Sequence, residues 1–201
     1  TMKKRYAELK QAVKQAKKNI GADLTDFEAA VAVHDYIIKH AAFHKKYADK
    51  MERTKNASPN YTYHSAYGIL CKKTGVCSGY AYAYRLLLAE YGIESIFIES
   101  SAMNHGWNMV KLNNQWYHVD VTWDDPDANA NWTKRNSGDL VHYEFFLLNN
   151  AEISAAKHYN WNPFKQSNGV TYSNMPRHSS DIQTFHNGNW YMYVNNNHGF
   201  D

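Results

Sequence analysis

At Gly92 the hydrophobic period of this 201-residue chain changes. Before it, core-type residues recur three and four apart: Leu9, Val13, Ala16 and Ile20 in one stripe, then Phe27, Val31, Ile38 and Ala41, with His34 among them, in a second. That spacing marks one face of an α-helix. After Gly92 come short runs of strand type: IESIFIES (93–100), WNMVKL (107–112), QWYHVDVTW (115–123), YEFFLL (143–148) and WYMYV (190–194). Helices first and then mostly antiparallel strands predict an α+β domain rather than a doubly wound parallel sheet.

Local signals place the boundaries. A first helix is expected over about 2–19, its basic residues forming a solvated face. The second begins near Thr25, where T-D-F-E offers Thr25 as N-cap and Glu28 as its capping-box partner, and its periodicity carries it into the forties. Residues 49–62 read as a loop. A third helix covers Cys77–Tyr91, between Gly75 and Gly92, and a short one lies around 150–157. Asn113-Asn114 can turn a two-residue hairpin, which pairs residues whose numbers sum to about 227. The polar stretch 124–139 reads as a loop. We divide the chain into an N-terminal helical extension (1–24), a core (25–162) and a β-rich C-terminal extension or start of a further module (163–201).

Composition narrows the function classes. With 44% hydrophobic and 20% charged residues the chain can build a sizeable core. Its net charge of +3 is small, and dense Lys/Arg is nowhere interleaved with aromatics, so no nucleic-acid partner is expected. No run approaches the roughly 20 apolar residues of a membrane span. No signal peptide is present, and the opening Thr-Met says little about export. Sixteen tyrosines and six tryptophans suggest an aromatic core or a surface that grips extended ligands. Cys71 and Cys77 could be bridged in principle, but two cysteines make no disulfide framework and no zinc site.

Cys77 is the residue with a chemical claim. A thiol at a helix start sits among unpaired backbone N–H groups at the positive end of the dipole, and both favour thiolate. A thiolate needs a base, and the base an orienting group. The hairpin register puts His105 and Asp120 within a cross-strand diagonal of each other. On chemistry alone, a packing cysteine and a catalytic one remain open. His40 and His44 share a helix face if the second helix continues through both, and DPDANAN (125–131) alternates oxygen ligands, but neither completes a metal motif. No metal and no cofactor is expected. His34 reads as a core histidine with a hydrogen-bond partner, and Asp124, Asp125 and Pro126 as a turn that ends a strand; His118 shares a strand face with Asp120 and could support it, but reads first as exposed.

The blocks GVCSGYAYAYRLLL and HGWNMVKLNNQWYHVDVTWDDP resemble the core of the transglutaminase-like superfamily, especially its bacterial branch. The likeness extends to HDYI (34–37), SAYGIL (65–70) and FFLLNNAEISAAKHYNW (145–161). It implies a papain-like α+β fold with the cysteine at a helix N-terminus packed on an antiparallel sheet. The family's cysteine, histidine and aspartate map onto Cys77, His105 and Asp120. The expected chemistry is acyl transfer on peptide or isopeptide amides through a thioester. Hydrolysis is preferred over amine transfer, and a catalytically silent peptide or cell-wall binding module is the rival. Tyr67 is the candidate second oxyanion donor. The resemblance also implies a protein or peptide substrate and an extracellular or cell-surface location. One departure is Gly106, where the family more often has alanine; it should spare His105 but loosen it.

Overall fold

The computed structural model describes residues 1–54, 58–125 and 141–161, together with the backbone of two strands at 182–186 and 189–193. Helix α1 spans Met2–Ile20, capped by the Thr1 hydroxyl, and buries Val13 and Ala16. Helix α2, Asp26–His40, opens with the expected capping box: Thr25 accepts from the Glu28 N–H while the Glu28 carboxylate accepts from the Thr25 N–H. It does not continue into the forties. Ala41 turns extended, and the Ala42 and His44 N–H groups bond the carbonyls of Lys73 and Gly75. This makes a short parallel pair, β1 (Ala42–Phe43) with β2 (Thr74–Gly75). Tertiary pairing thus overrides a helical period at its end.

The presumed loop at 49–62 is helical in its first part. Helix α3, Lys45–Arg53, is capped by the His44 ring, whose Nδ1 accepts from the Tyr47 N–H. Helix α4, Ala66–Lys72, is capped by Ser65 and ends on Lys73 in the left-handed region. Helix α5, Cys77–Ala89, runs through the centre of the molecule, with Tyr80, Tyr84, Leu87 and Leu88 fully buried. Complete burial of each such side chain stabilises the fold by roughly 1.5–3 kcal/mol. Residue Gly79 permits the entry to α5, since a Cβ there would stand 2.6 Å from the Tyr63 carbonyl oxygen.

After Gly92 three strands form one antiparallel sheet: β3 (Ser95–Ser100), β4 (His105–Leu112) and β5 (Gln115–Val119), in that order. Leu112 faces Gln115 and Asn108 faces Val119, so the hairpin turns at Asn113-Asn114 as the sequence predicts. Both turn residues adopt positive φ, as a two-residue primed turn requires. Helix α5 packs on β3 and β4, and α2 packs on α5. Their apolar faces meet in one core that includes Ile37, Ile38, Leu87, Leu88, Val110 and Val119.

The run YEFFLL is not a strand. Only Leu148 makes a bridge, to His118, and Leu147 has φ 55°. The rest is tied down individually: the Phe145 N–H donates to Asp124 Oδ1, and its carbonyl accepts from the Asp120 N–H. Helix α6, Asn150–Ala155, follows with a second capping box, Asn149 and Glu152. Further along, β6 (Ile182–His186) and β7 (Asn189–Tyr193) pair antiparallel. The polar stretch 126–140, with most of DPDANAN and Pro126, lies outside the described residues. Helices at the N-terminal side and a half-buried cysteine opening α5 against an antiparallel sheet make this the α+β fold expected from the sequence.

Candidate active site

Every other described helix has an N-cap side chain that accepts from its first turn: Thr1, Thr25, His44, Ser65 and Asn149. Helix α5 starts behind Val76, whose side chain cannot accept. The first-turn N–H groups beside Cys77 therefore meet no capping oxygen, which leaves the positive end of the helix open to an anion.

The sheet brings His105 to this end. The Asn108 amide on β4 donates to Ala81 O on α5 and to Ile96 O on β3, which pins helix to sheet three residues past His105. At the start of β4 the His105 Nε2 lies 2.5 Å from Asp120 Oδ2. The diagonal contact expected from the hairpin register therefore forms, although regular pairing ends at Val119. Beyond it the chain turns back: Asp120 Oδ1 accepts from the Thr122 and Trp123 N–H groups. That turn moves the carboxylate off the strand and aims it at His105.

The imidazole is enclosed. Trp107 and Trp123 both stack with it, with centroids at 5.8 and 5.1 Å. Burial alone would lower its pKa. The charge and hydrogen bond of Asp120, joined by those of Cys77, outweigh burial and raise His105 to about 10. Burial pushes Asp120 up, but His105 and His158 hold its carboxyl well below the usual carboxylate range. With Nε2–H directed at Asp120, Nδ1 is left for the thiol.

His158 was not singled out from sequence, although it stands in the KHYNW block that carries part of the family likeness. It follows α6, where Lys157 takes a left-handed turn and the His158 N–H bonds Ile153 O. The ring is fully buried, and its Nε2 lies 2.9 Å from Asp120 Oδ2. His105, Asp120 and His158 thus gather three potential ligand atoms within 4.8 Å. The contacts to Oδ2, 2.5 and 2.9 Å, are hydrogen-bond lengths. Ligands around a tetrahedral zinc stand roughly 3.3 Å apart, given bonds of about 2.0–2.1 Å. At those lengths both imidazoles are hydrogen-bond partners of Oδ2.

Several other expectations change. Tyr67, the candidate second oxyanion donor, gives its hydroxyl proton to Glu8 of α1, with Arg5 and Lys72 over its ring. His40 and His44 do not share a helix, because α2 ends at His40 and His44 caps α3. His118 is fully buried rather than exposed: its Nδ1 accepts from Trp107 Nε1–H at 2.9 Å and its Nε2–H faces Asn150 Oδ1 at 2.9 Å.

His34 is the core histidine expected, bridging Asp35 Oδ1 and Asp124 Oδ2 at 3.0 and 2.9 Å. Asp124 and Asp125 do turn the chain, but both are buried and anchored, the first on His34 and the second on the Tyr80 hydroxyl. At Gly106 a Cβ would stand 2.5 Å from the Phe97 ring, so that ring occupies the space an alanine would take. Packing of this kind restrains the backbone next to His105.

No curated protein matches the chain. A solved structure described as "Crystal structure of a TGase" aligns over 60% of this chain and 32% of its own, at 11% identity and a TM-score of 0.47. This chain therefore spans about a third of that one's length. The profile of the transglutaminase-like superfamily matches residues 14–121, more than half of the 201 residues, and that stretch holds Cys77, His105 and Asp120. The chain belongs to the transglutaminase-like superfamily.

Proposed function

We propose that Cys77, His105 and Asp120 form a catalytic triad for acyl transfer on peptide or isopeptide amides, with water as the acceptor. The observation that carries this reading is the clamped imidazole: Asp120 takes Nε2 at 2.5 Å, while Cys77 opens the one described helix whose N-cap offers no accepting side chain.

In the proposed reaction the Cys77 Sγ attacks the amide carbon, and the carbonyl electron pair moves to oxygen. The Cys77 backbone N–H donates to that oxyanion. Collapse breaks the C–N bond as His105 Nδ1 gives its proton to the leaving amine. A thioester remains on Cys77. Water then attacks with His105 taking its proton, the C–S bond breaks, and the thiolate returns. Hydrolysis is preferred because it requires only one bound substrate. A primary amine in place of water would make the same thioester a transglutaminase intermediate.

The test uses the protein's own second thiol as comparator. Burial, and then the Glu8 charge, push the Cys71 thiol up. Near neutral pH, iodoacetamide should alkylate Cys77 at least about tenfold faster than Cys71, and His105→Ala should remove the advantage. Cys77→Ala should abolish turnover of any amide found by a substrate search, and product mass separates water from amine acceptors. Equal labelling of both thiols would sink the triad and favour a binding module.

A further inference from the structure

Asp120 has no spare acceptor position. Oδ1 takes the Thr122 and Trp123 N–H groups at 3.0 and 3.1 Å, and Oδ2 takes His105 at 2.5 Å and His158 at 2.9 Å. His158 is an unusual donor to find there. Its ring is fully buried beside Trp123, Trp107 and Phe145, with centroids at 4.3, 4.8 and 5.4 Å. Among the described residues, its Nδ1 faces the Ala156 carbonyl, at 3.3 Å. A lone pair on Nε2 would be repelled by the carboxylate, so the ring proton sits on Nε2 and is given to Asp120.

A carboxylate oxygen that accepts two ring N–H groups divides its basicity between them. Without His158, all of Oδ2 would act on His105. The imidazolium would then hold its proton harder and give it up less readily to a leaving amine. Resting on the triad reading above, we propose that His158 is a positioning residue: by sharing Oδ2 it fixes the Asp120 carboxylate and sets the pH at which His105 releases its proton. Among the described residues, the other titratable groups facing this cluster are Cys77 from α5, His118 from β5, whose two ring nitrogens are occupied by Trp107 and Asn150, and Asp124, on which the Asp120 charge acts. None of these donates to Oδ2.

The experiment compares two alkylating reagents on Cys77 across pH, with Cys71 replaced by serine throughout. Iodoacetate is an anion drawn by the His105 imidazolium, and iodoacetamide is neutral. Their rate ratio therefore falls as His105 deprotonates. His158→Phe keeps a ring in the cage and removes the donor; it should move that fall upward by about one pH unit. His158→Gln restores an N–H donor and should bring the fall back toward the wild-type pH. A purely structural His158 would lower stability without moving the fall.

An unmoved fall in a folded His158→Phe overturns the proposal and leaves the triad standing. A wild-type ratio that is flat with pH and unchanged by His105→Ala overturns both. Should the variants lose their near-UV circular dichroism, ¹⁵N-histidine spectra of the wild-type protein decide. A protonated Nε2 on His158 supports the proposal, and an unprotonated one overturns it.

Discussion

Acid should destabilise this protein through His118 before it touches most carboxylates. Trp107 Nε1–H points into His118 Nδ1, which must keep its lone pair, and Nε2–H serves Asn150. A second ring proton would face the Trp107 N–H head on, in a site fully closed to water. Burial is the leading cause that lowers His118 from its ordinary 6.5 to about 4, and the nearby His158 adds to it.

The sign follows directly. Between those two pH values the unfolded chain binds a proton that the folded one refuses, so stability present above pH 6.5 is lost as pH falls toward 4. At about 1.4 kcal/mol per pKa unit, the loss is about 2 kcal/mol by pH 5 and about 3 kcal/mol by pH 4. The perturbation that isolates it is His118→Asn, whose amide oxygen replaces Nδ1 as acceptor and does not titrate.

Urea unfolding, followed by tryptophan fluorescence, gives the stability gap between wild type and variant at each pH. The gap should be widest at pH 7 and narrow by about 2 kcal/mol at pH 5. Other titrating groups are common to both proteins and cancel. A gap that stays constant with pH would refute the reasoning, since His118 would then accept its proton equally in both states.

Three further outcomes follow from the geometry. Tyr143→Phe removes the hydroxyl that donates to Asp35 Oδ2 at 2.8 Å, and the urea midpoint should report a loss of about 1–2 kcal/mol. His34 has the opposite sign to His118. Burial lowers it, but Asp124 and Asp35 outweigh burial and raise it to about 9, so its contribution is full below pH 6.5 and is lost as pH rises through 9; the stability gap to His34→Asn should narrow over that window. Val76→Thr would give α5 the capping hydroxyl it lacks. It should leave stability within about 1 kcal/mol yet slow Cys77 alkylation severalfold by occupying first-turn N–H groups, and an unchanged rate would show those groups are idle.

The readings that held were those governed by neighbours in sequence. Thr25 and Glu28 are three apart, so the side chain of each reaches the backbone N–H of the other whatever the rest of the chain does. Asn113-Asn114 tolerates positive φ at both positions, and a two-residue turn leaves one register, from which the approach of His105 to Asp120 follows. Readings failed where a local pattern met a distant partner. The helical period of α2 ran to Ala41, but Lys73 and Gly75 drew the next residues into β1. YEFFLL has strand composition, yet Asp120 and Asp124 bind its backbone one group at a time.

Legible in the amino-acid order alone were the Thr25–Glu28 capping box, the helix-rich first half, the hairpin register and the family blocks around Cys77, His105 and Asp120. Which buried polar groups meet is set by the packing of elements far apart in the chain. His34 finds Asp124 ninety residues away, and His158 finds Asp120 across 38. The same packing buries His118 on Trp107 and gives the Tyr67 hydroxyl to Glu8. A cap or a tight turn is closed by atoms a few bonds apart, so its partners are written beside it. A buried histidine's partner is whichever group the packing of separate elements delivers to it, and only there does desolvation force the pair to form.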